Sequence, residues 1–358
     1  MVDLPLPPGA DGPGAIVPEG YSALRESAGW RDLAPRVSVA VVGEDAVRFI
    51  DGFCTAAVGA LRPGEGSEAF FLDARGQVSA WGTVLRAADG VWIDADPSPT
   101  APDGSAFCLR SHLDAYHIRE RLRIVDASGT VATLLVAGPH AASWLAGAGV
   151  RFPEVSSNGH DVTRLAAIIE GEYPGRCAGS PAAVVRGEWA GAGSFLLLLP
   201  FADRDRVIDR LREDGVPEVT RAALDAVRRE EGRPAPIDIP PRGLPQEFGR
   251  TRRAISFTKG CYLGQETVAR IDALGHVNRR LVGVVVGGGA EPLAGAAVEA
   301  EDDGAVVGTI TSAGPSPRFG AWLALALVRT AALRKDAAWR VAGAPARPVT
   351  LPQTEGWE

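Results

Sequence analysis

Two spacings of apolar residues alternate along this chain, short β-branched or alternating runs and runs repeating every three to four positions, and the switches between them predict the order of elements. Residues 37–42, VSVAVV, read as a strand. Ala46, Phe49, Ile50 and Phe53 then fall on one helical face behind Gly43, Glu44 and Asp45. Residues 69–72 and 78–86 flank Asp73, Ala74, Arg75 and Gly76 as a hairpin, residues 91–94 add a strand, and residues 106–122 carry enough periodicity for a helix. The same grammar repeats: strands at 131–137, 163–169, 182–186 and 195–199, and helices at 139–146, 203–213 and 218–231, the last closed by Gly232. Hairpins mixed with crossovers predict an α+β fold of two ferredoxin-like units. Residues 233–248 hold five prolines and predict an irregular loop. From residue 280 the texture changes to short strands at 281–286, 296–301, 305–311, 322–328 and 338–341, divided by glycine-rich turns, which predicts a small antiparallel barrel.

With 358 residues the chain exceeds one comfortable core, so two or three domains are expected. Its 46% hydrophobic and 23% charged residues are those of an ordinary globular protein. The net charge of -7 argues against a broad nucleic-acid surface. Only a local basic stripe remains, at Arg250, Arg252, Arg253 and Lys259 or at Arg279 and Arg280. The first nineteen residues, rich in proline and glycine, read as a disordered lead-in with no signal peptide, and no apolar run is long enough to span a bilayer. A cytoplasmic protein with no membrane partner is the expectation. Cys54, Cys108, Cys177 and Cys261 form no C-x-x-C pair, and the five histidines are dispersed, so no complete metal site is read.

Candidate chemistry concentrates in residues 255–270, ISFTKGCYLGQETVAR. Cys261 stands between Gly260 and Gly264, which permit unusual backbone conformations and close approach of a ligand. Lys259 lies two positions away and would favour the thiolate, and Gln265 and Glu266 open a helix whose N-terminus would do the same. A reactive thiol and a buried cysteine packed as a small hydrophobe are both compatible with these residues.

The stretch KGCYLGQETVAR resembles the signature of the YgfZ family of folate-binding proteins, within the superfamily of the glycine-cleavage aminomethyltransferase (T-protein). LDARGQV at 72–78, AVRREEG at 226–232 and TSAGPSPRFGAWLALALVR at 311–329 fall in the matching order. The resemblance implies two interlocked ferredoxin-like units and a C-terminal antiparallel β-barrel around a central channel for tetrahydrofolate. It places a folate-binding module at 20–278, with a first unit of about 20–60 and 128–278 and a second of about 61–127, and the barrel at 279–358. It further implies a part in synthesis or repair of iron-sulfur proteins, tRNA-modifying enzymes among them, with iron-sulfur client or assembly proteins as partners. Cys261 and Lys259 become the catalytic candidates, Gly260, Tyr262, Gly264, Gln265, Glu266 and Arg270 motif positions, and Arg228, Glu230 and Tyr262 folate contacts. Some positions depart from the aminomethyltransferase pattern. Ala80 takes the place of an aspartate that faces the folate, no glutamate appears at residues 191–193, where Glu188 is the nearest substitute, and Arg36 and Ala223 stand where some members have tryptophans. These departures favour an accessory factor over an aminomethyltransferase-like one-carbon transferase, which is the alternative.

Overall fold

The computed structural model describes residues 16–97, 107–150, 165–166, 183–288, 291–334 and 336–354. Two sheets and a barrel make up the β structure. The first is a four-stranded antiparallel sheet in the order β1 (Gly29–Asp32), β7 (Val131–Ala137), β10 (Ser194–Pro200), β9 (Ala183–Gly187). The run FLLLL makes β10 its central strand. Phe195, Leu197 and Leu199 face α4 (Ala141–Gly147) and α5 (Arg204–Glu213), while Leu196 and Leu198 face α1 (Tyr21–Glu26) and α6 (Arg221–Glu231). Each such leucine contributes about 1.5–3 kcal/mol of burial, so a continuous apolar run is what a strand covered on both faces requires.

The second sheet has six strands in the order β6 (Arg123–Asp126), β2 (Val37–Val42), β5 (Gly90–Ala95), β4 (Val78–Arg86), β3 (Glu65–Leu72), β8 (Leu165–Ala166). Helices α2 (Ala46–Asp51) and α3 (Leu109–Asp114) cover one face through Phe49, Ile50, Leu109 and Leu113. Because β2 pairs with both β5 and β6, residues 37–51 belong to this second unit, which corrects their placement with the first. The pairing is long-range, and local spacing carries no sign of it. The helix expected over 106–122 is also shorter. It stops at Asp114, and the Glu120 carboxylate accepts the amides of Ile118 and Arg119 in a turn that leads into β6. The expected strand at 163–169 lies outside the described residues except for β8, and the lead-in lies outside them up to residue 15.

The third body is a closed barrel, β11 (Arg279–Val286), β14 (Ala321–Arg329), β13 (Val306–Ser316), β12 (Ala297–Ala300), β15 (Trp339–Val341), β16 (Ala344–Val349). Strand β16 closes it against β11, with Pro348 opposite Val284. Between the bodies run α7 (Thr251–Ala254), α8 (Gln265–Leu274) and the proline-rich segment, which forms two short 3₁₀ turns and packs into the junction. Among the described residues, no helix is long and apolar enough to cross a membrane.

Candidate functional site

The thiol loop is held at both ends. At one end Lys259 lays its ammonium against the end of α2 and donates to the carbonyl oxygens of Asp51 (2.5 Å), Cys54 (3.0 Å) and Ala56 (2.6 Å), with the Asp51 carboxylate at 3.3 Å. Its side chain is 2% exposed. A lysine whose donors are all taken in this way latches the loop to the sheet. The amides of Ser256 and Leu263 add bonds to the carbonyls of Thr55 and Gly52.

At the other end Gly264 takes φ 80° at the start of α8 and packs on Gly76, itself at φ 78°, in the hairpin between β3 and β4. A Cβ on Gly264 would sit 2.7 Å from the Asp73 carbonyl oxygen, and one on Gly76 would sit 2.6 Å from Cβ of Thr267. Thr267 also donates to the Arg75 carbonyl at 2.8 Å. Two glycine-bearing motifs nearly two hundred residues apart therefore form one interface, and both glycines are needed because no side chain fits between them.

Cys261 is exposed between these anchors. Gly260 has open space around it and no left-handed φ, so here the glycine leaves room beside the sulfur and serves no turn geometry. Tyr262 is buried beneath the loop, its ring 5.2 Å from the Lys259 ammonium, and burial followed by the nearness of Cys54 pushes its hydroxyl up to about 12. Gln265 accepts the Tyr262 amide at 3.3 Å, while Glu266 and Arg270 point to solvent. Cys54 is fully buried below, its thiol pushed up by burial to about 11. One cysteine of this pair is thus presented and the other is packed away. Cys177 lies outside the described residues.

A second cluster fills the meeting point of the three bodies. Glu68, in the middle of β3, receives Arg250 Nε at 2.9 Å, a second bond from Arg250 Nη2, and Arg233 Nη1 at 3.0 Å. Burial alone would raise this carboxyl, but the two guanidiniums outweigh it and hold it down at about 2. Arg250 continues to Gln353 at 2.9 Å, and Arg233 stacks 4.5 Å from the Trp81 ring centroid. Arg250 is 0% exposed, which removes it from any surface stripe, and Arg253 and Arg279 are paired with Glu188 and Glu247.

Arg228 and Glu230 are likewise buried and spoken for. Arg228 donates to Asp238 (2.7 Å), Asp225 (3.2 Å) and the Arg233 carbonyl (3.0 Å), and Glu230 accepts from Tyr21 (2.7 Å), Ser316 (2.5 Å), the Arg318 amide and Arg25. They tie α6 to α1 and to the barrel, so their geometry is that of a joint between bodies, and their hydrogen bonds leave little for a ligand. Ala80 packs with Phe71 and Val84 in the core of the six-stranded sheet, and it is its neighbour Trp81 that looks into the junction. Arg36 is bound to Asp94 and Asp96, and Ala223 lies in the core under α6. Glu68, Arg233, Asp238 and Gln353 are missed by sequence reasoning, and Arg250 is read there only as part of a surface stripe.

Beside this cluster a cavity of about 570 Å3 opens between α6, the end of β5 and the barrel, lined by Asp96, Arg221, Asp225, Arg228, Arg229, Ser312 and the apolar side chains of Leu33, Ile237 and Leu293. Neither Tyr262 nor Cys261 lines it. The thiol loop and the interdomain cavity are separate features of one molecule.

The chain matches a known family. The profile of the GCVT N-terminal domain covers residues 14–249, and that of the glycine cleavage T-protein C-terminal barrel domain covers residues 279–353. The chain belongs to the glycine cleavage T-protein family. Among curated relatives, an aminomethyltransferase of Herpetosiphon aurantiacus is 27% identical over 88% of this chain and 82% of its own length. One from Streptomyces avermitilis is 32% identical over 44% of each chain. The crystal structure of the glycine cleavage system aminomethyltransferase T from Bartonella henselae superposes with a TM-score of 0.77 at 21% identity, covering 93% of this chain and 89% of that one, and shares its fold.

Proposed function

We propose that the protein is a cytoplasmic, folate-binding accessory factor for the synthesis or repair of iron-sulfur proteins, with tRNA-modifying enzymes among its clients and Cys261 as its working thiol. The observation that carries this reading is the presentation of Cys261. The sulfur is exposed, space beside Gly260 is open, and the loop is fixed by Lys259 on one side and by the Gly264–Gly76 contact on the other. A thiol meant only for packing would resemble Cys54. The YgfZ-like motif K-G-C-Y-x-G-Q-E contains Lys259, Gly260, Cys261 and Gly264, which build this arrangement, and its resemblance is the source of the iron-sulfur assignment.

Family membership supports tetrahydrofolate as the small molecule bound. The interdomain cavity falls in the range of about 300–1,000 Å3 usual for small-molecule sites, and its apolar walls and arginines suit a flat heterocycle with an acidic tail. A bound folate would supply a one-carbon carrier. With Arg228 and Glu230 engaged elsewhere, Arg221 and Arg229 are the cations on this wall nearest to hand.

An aminomethyltransferase-like one-carbon transferase is the second reading, favoured by the match of both family profiles. Against it, neither Ala80 nor Trp81 offers a carboxylate, and the acids of the junction, Glu68, Asp94 and Asp96, are held by arginines. Titration of tetrahydrofolate followed by intrinsic tryptophan fluorescence should give equal affinity for wild type and Cys261→Ala. Absence of binding to the wild type would remove folate from the account, and turnover of tetrahydrofolate to its methylene form with an amine donor would establish the second reading.

A further inference from the structure

Arg229 differs from every other charge on α6. Its residue is 6% exposed, its Nε is shielded from solvent with no acceptor, and among the described residues its guanidinium donates no hydrogen bond and makes no ion pair. The remaining charges of its cavity are already matched: Asp96 with Arg36, Asp225 with Arg221 and Arg228, Arg228 with Asp238 as well. Asp225, Asp238 and, more weakly, Glu291 at the exposed rim attract Arg229 without bonding to it. Room for the guanidinium is made by Gly314 on β13, where a Cβ would stand 2.2 Å from Nη2. Burial, then the charge of Arg228, bring Arg229 down to about 10, so it is a cation at neutral pH. An uncompensated buried charge is costly, and the fold supplies it with a cavity where another fold would supply a carboxylate.

The walls indicate what the missing partner is. A planar guanidinium pairs with a carboxylate through two parallel hydrogen bonds. Asp96, Asp225 and Glu291 around the same space disfavour a ligand end of higher charge such as a phosphate dianion. Leu33, Ile237 and Leu293 offer surface to an uncharged body. We propose that this cavity binds a small molecule through a single carboxylate paired with Arg229, the apolar part of the ligand lying along Leu33, Ile237 and Leu293. The acid can be the tail of a folate or belong to an unrelated aryl or alkyl acid, and the site stands on its own residues in either case.

The Nε–Hε resonance of Arg229 in the full-length protein, identified by its loss in Arg229→Lys, belongs to the guanidinium that pairs and so senses the pairing. Titration with benzoate should move it saturably, while neutral benzamide at the same concentrations should leave it in place. Arg229→Leu, of similar volume and uncharged, should weaken benzoate binding about tenfold or more in ligand-observed NMR. A parallel titration with tetrahydrofolate that moves the same resonance identifies the folate tail as the acid, and movement with benzoate alone identifies a different one. No movement with either acid, or equal movement with benzamide, overturns the proposal. The wild-type titrations decide the matter even if Arg229→Leu fails to fold.

Discussion

Lys259 is next to Cys261 but one in the sequence, and a sequence reading uses its charge. The fold uses its three donors. Carbonyl oxygens at the end of α2 converge on one ammonium, which fixes where the loop leaves the sheet and hence where the sulfur emerges. Replacement by methionine keeps the length and leaves three carbonyls without their donor, so Lys259→Met should lose about 2–4 kcal/mol in urea unfolding. Stability within about 0.5 kcal/mol of wild type would show that the latch is not formed in solution. The residue type was legible, while its role was not, because backbone carbonyls leave no trace in a sequence. Arg228 and Glu230 teach the same lesson from the other side. They lie on the polar face of an amphipathic helix, and that face is buried because the barrel docks on it.

Among the elements, those set by local patterning were legible. The run in β10 and the apolar face of α6 predict both elements and their burial. Strand β16 was not, since Pro345 and Pro348 disrupt a strand pattern and only barrel closure against β11 makes their place intelligible. The helix over 106–122 was overextended because apolar spacing alone cannot show that Glu120 ends the segment in a turn. The joint between the β3–β4 hairpin and α8 was legible only as two separate motifs. Its physical content is steric, and it separates three glycines. Gly76→Ala and Gly264→Ala should each cost about 1–3 kcal/mol in thermal unfolding, from positive φ and contact with backbone or Thr267. Gly260→Ala should stay within about 0.5 kcal/mol of wild type while narrowing the approach to Cys261. Equal losses at all three positions would contradict this division.

For the whole molecule, an ionic joint is set beside the apolar cluster that binds the six-stranded sheet to the barrel. Glu68 from one sheet, Arg233 and Arg250 from the connecting segment and Gln353 from the chain's last described residues converge there, and none of these is local in sequence. The place of β2 in the six-stranded sheet is hidden for the same reason, since its partners lie about fifty to ninety residues downstream. Glu68 makes the joint pH-dependent. Its folded value is depressed to about 2, so its contribution is present above the ordinary carboxylate range and is lost as pH falls through that range toward the folded value. A shift of this size corresponds to about 3 kcal/mol. Glu68→Gln should therefore be less stable than wild type near neutral pH, and the gap in urea unfolding should shrink between about pH 5 and pH 2. A gap that is constant with pH would assign the loss to packing alone.

The presented thiol and the interdomain cavity are separate, and the proposed function rests on Cys261. The most direct measurement is the activity of iron-sulfur enzymes in a strain lacking this gene, restored with wild type or with Cys261→Ala at equal protein levels. The account predicts recovery with wild type and none above the deletion strain with Cys261→Ala; full recovery with Cys261→Ala would contradict it.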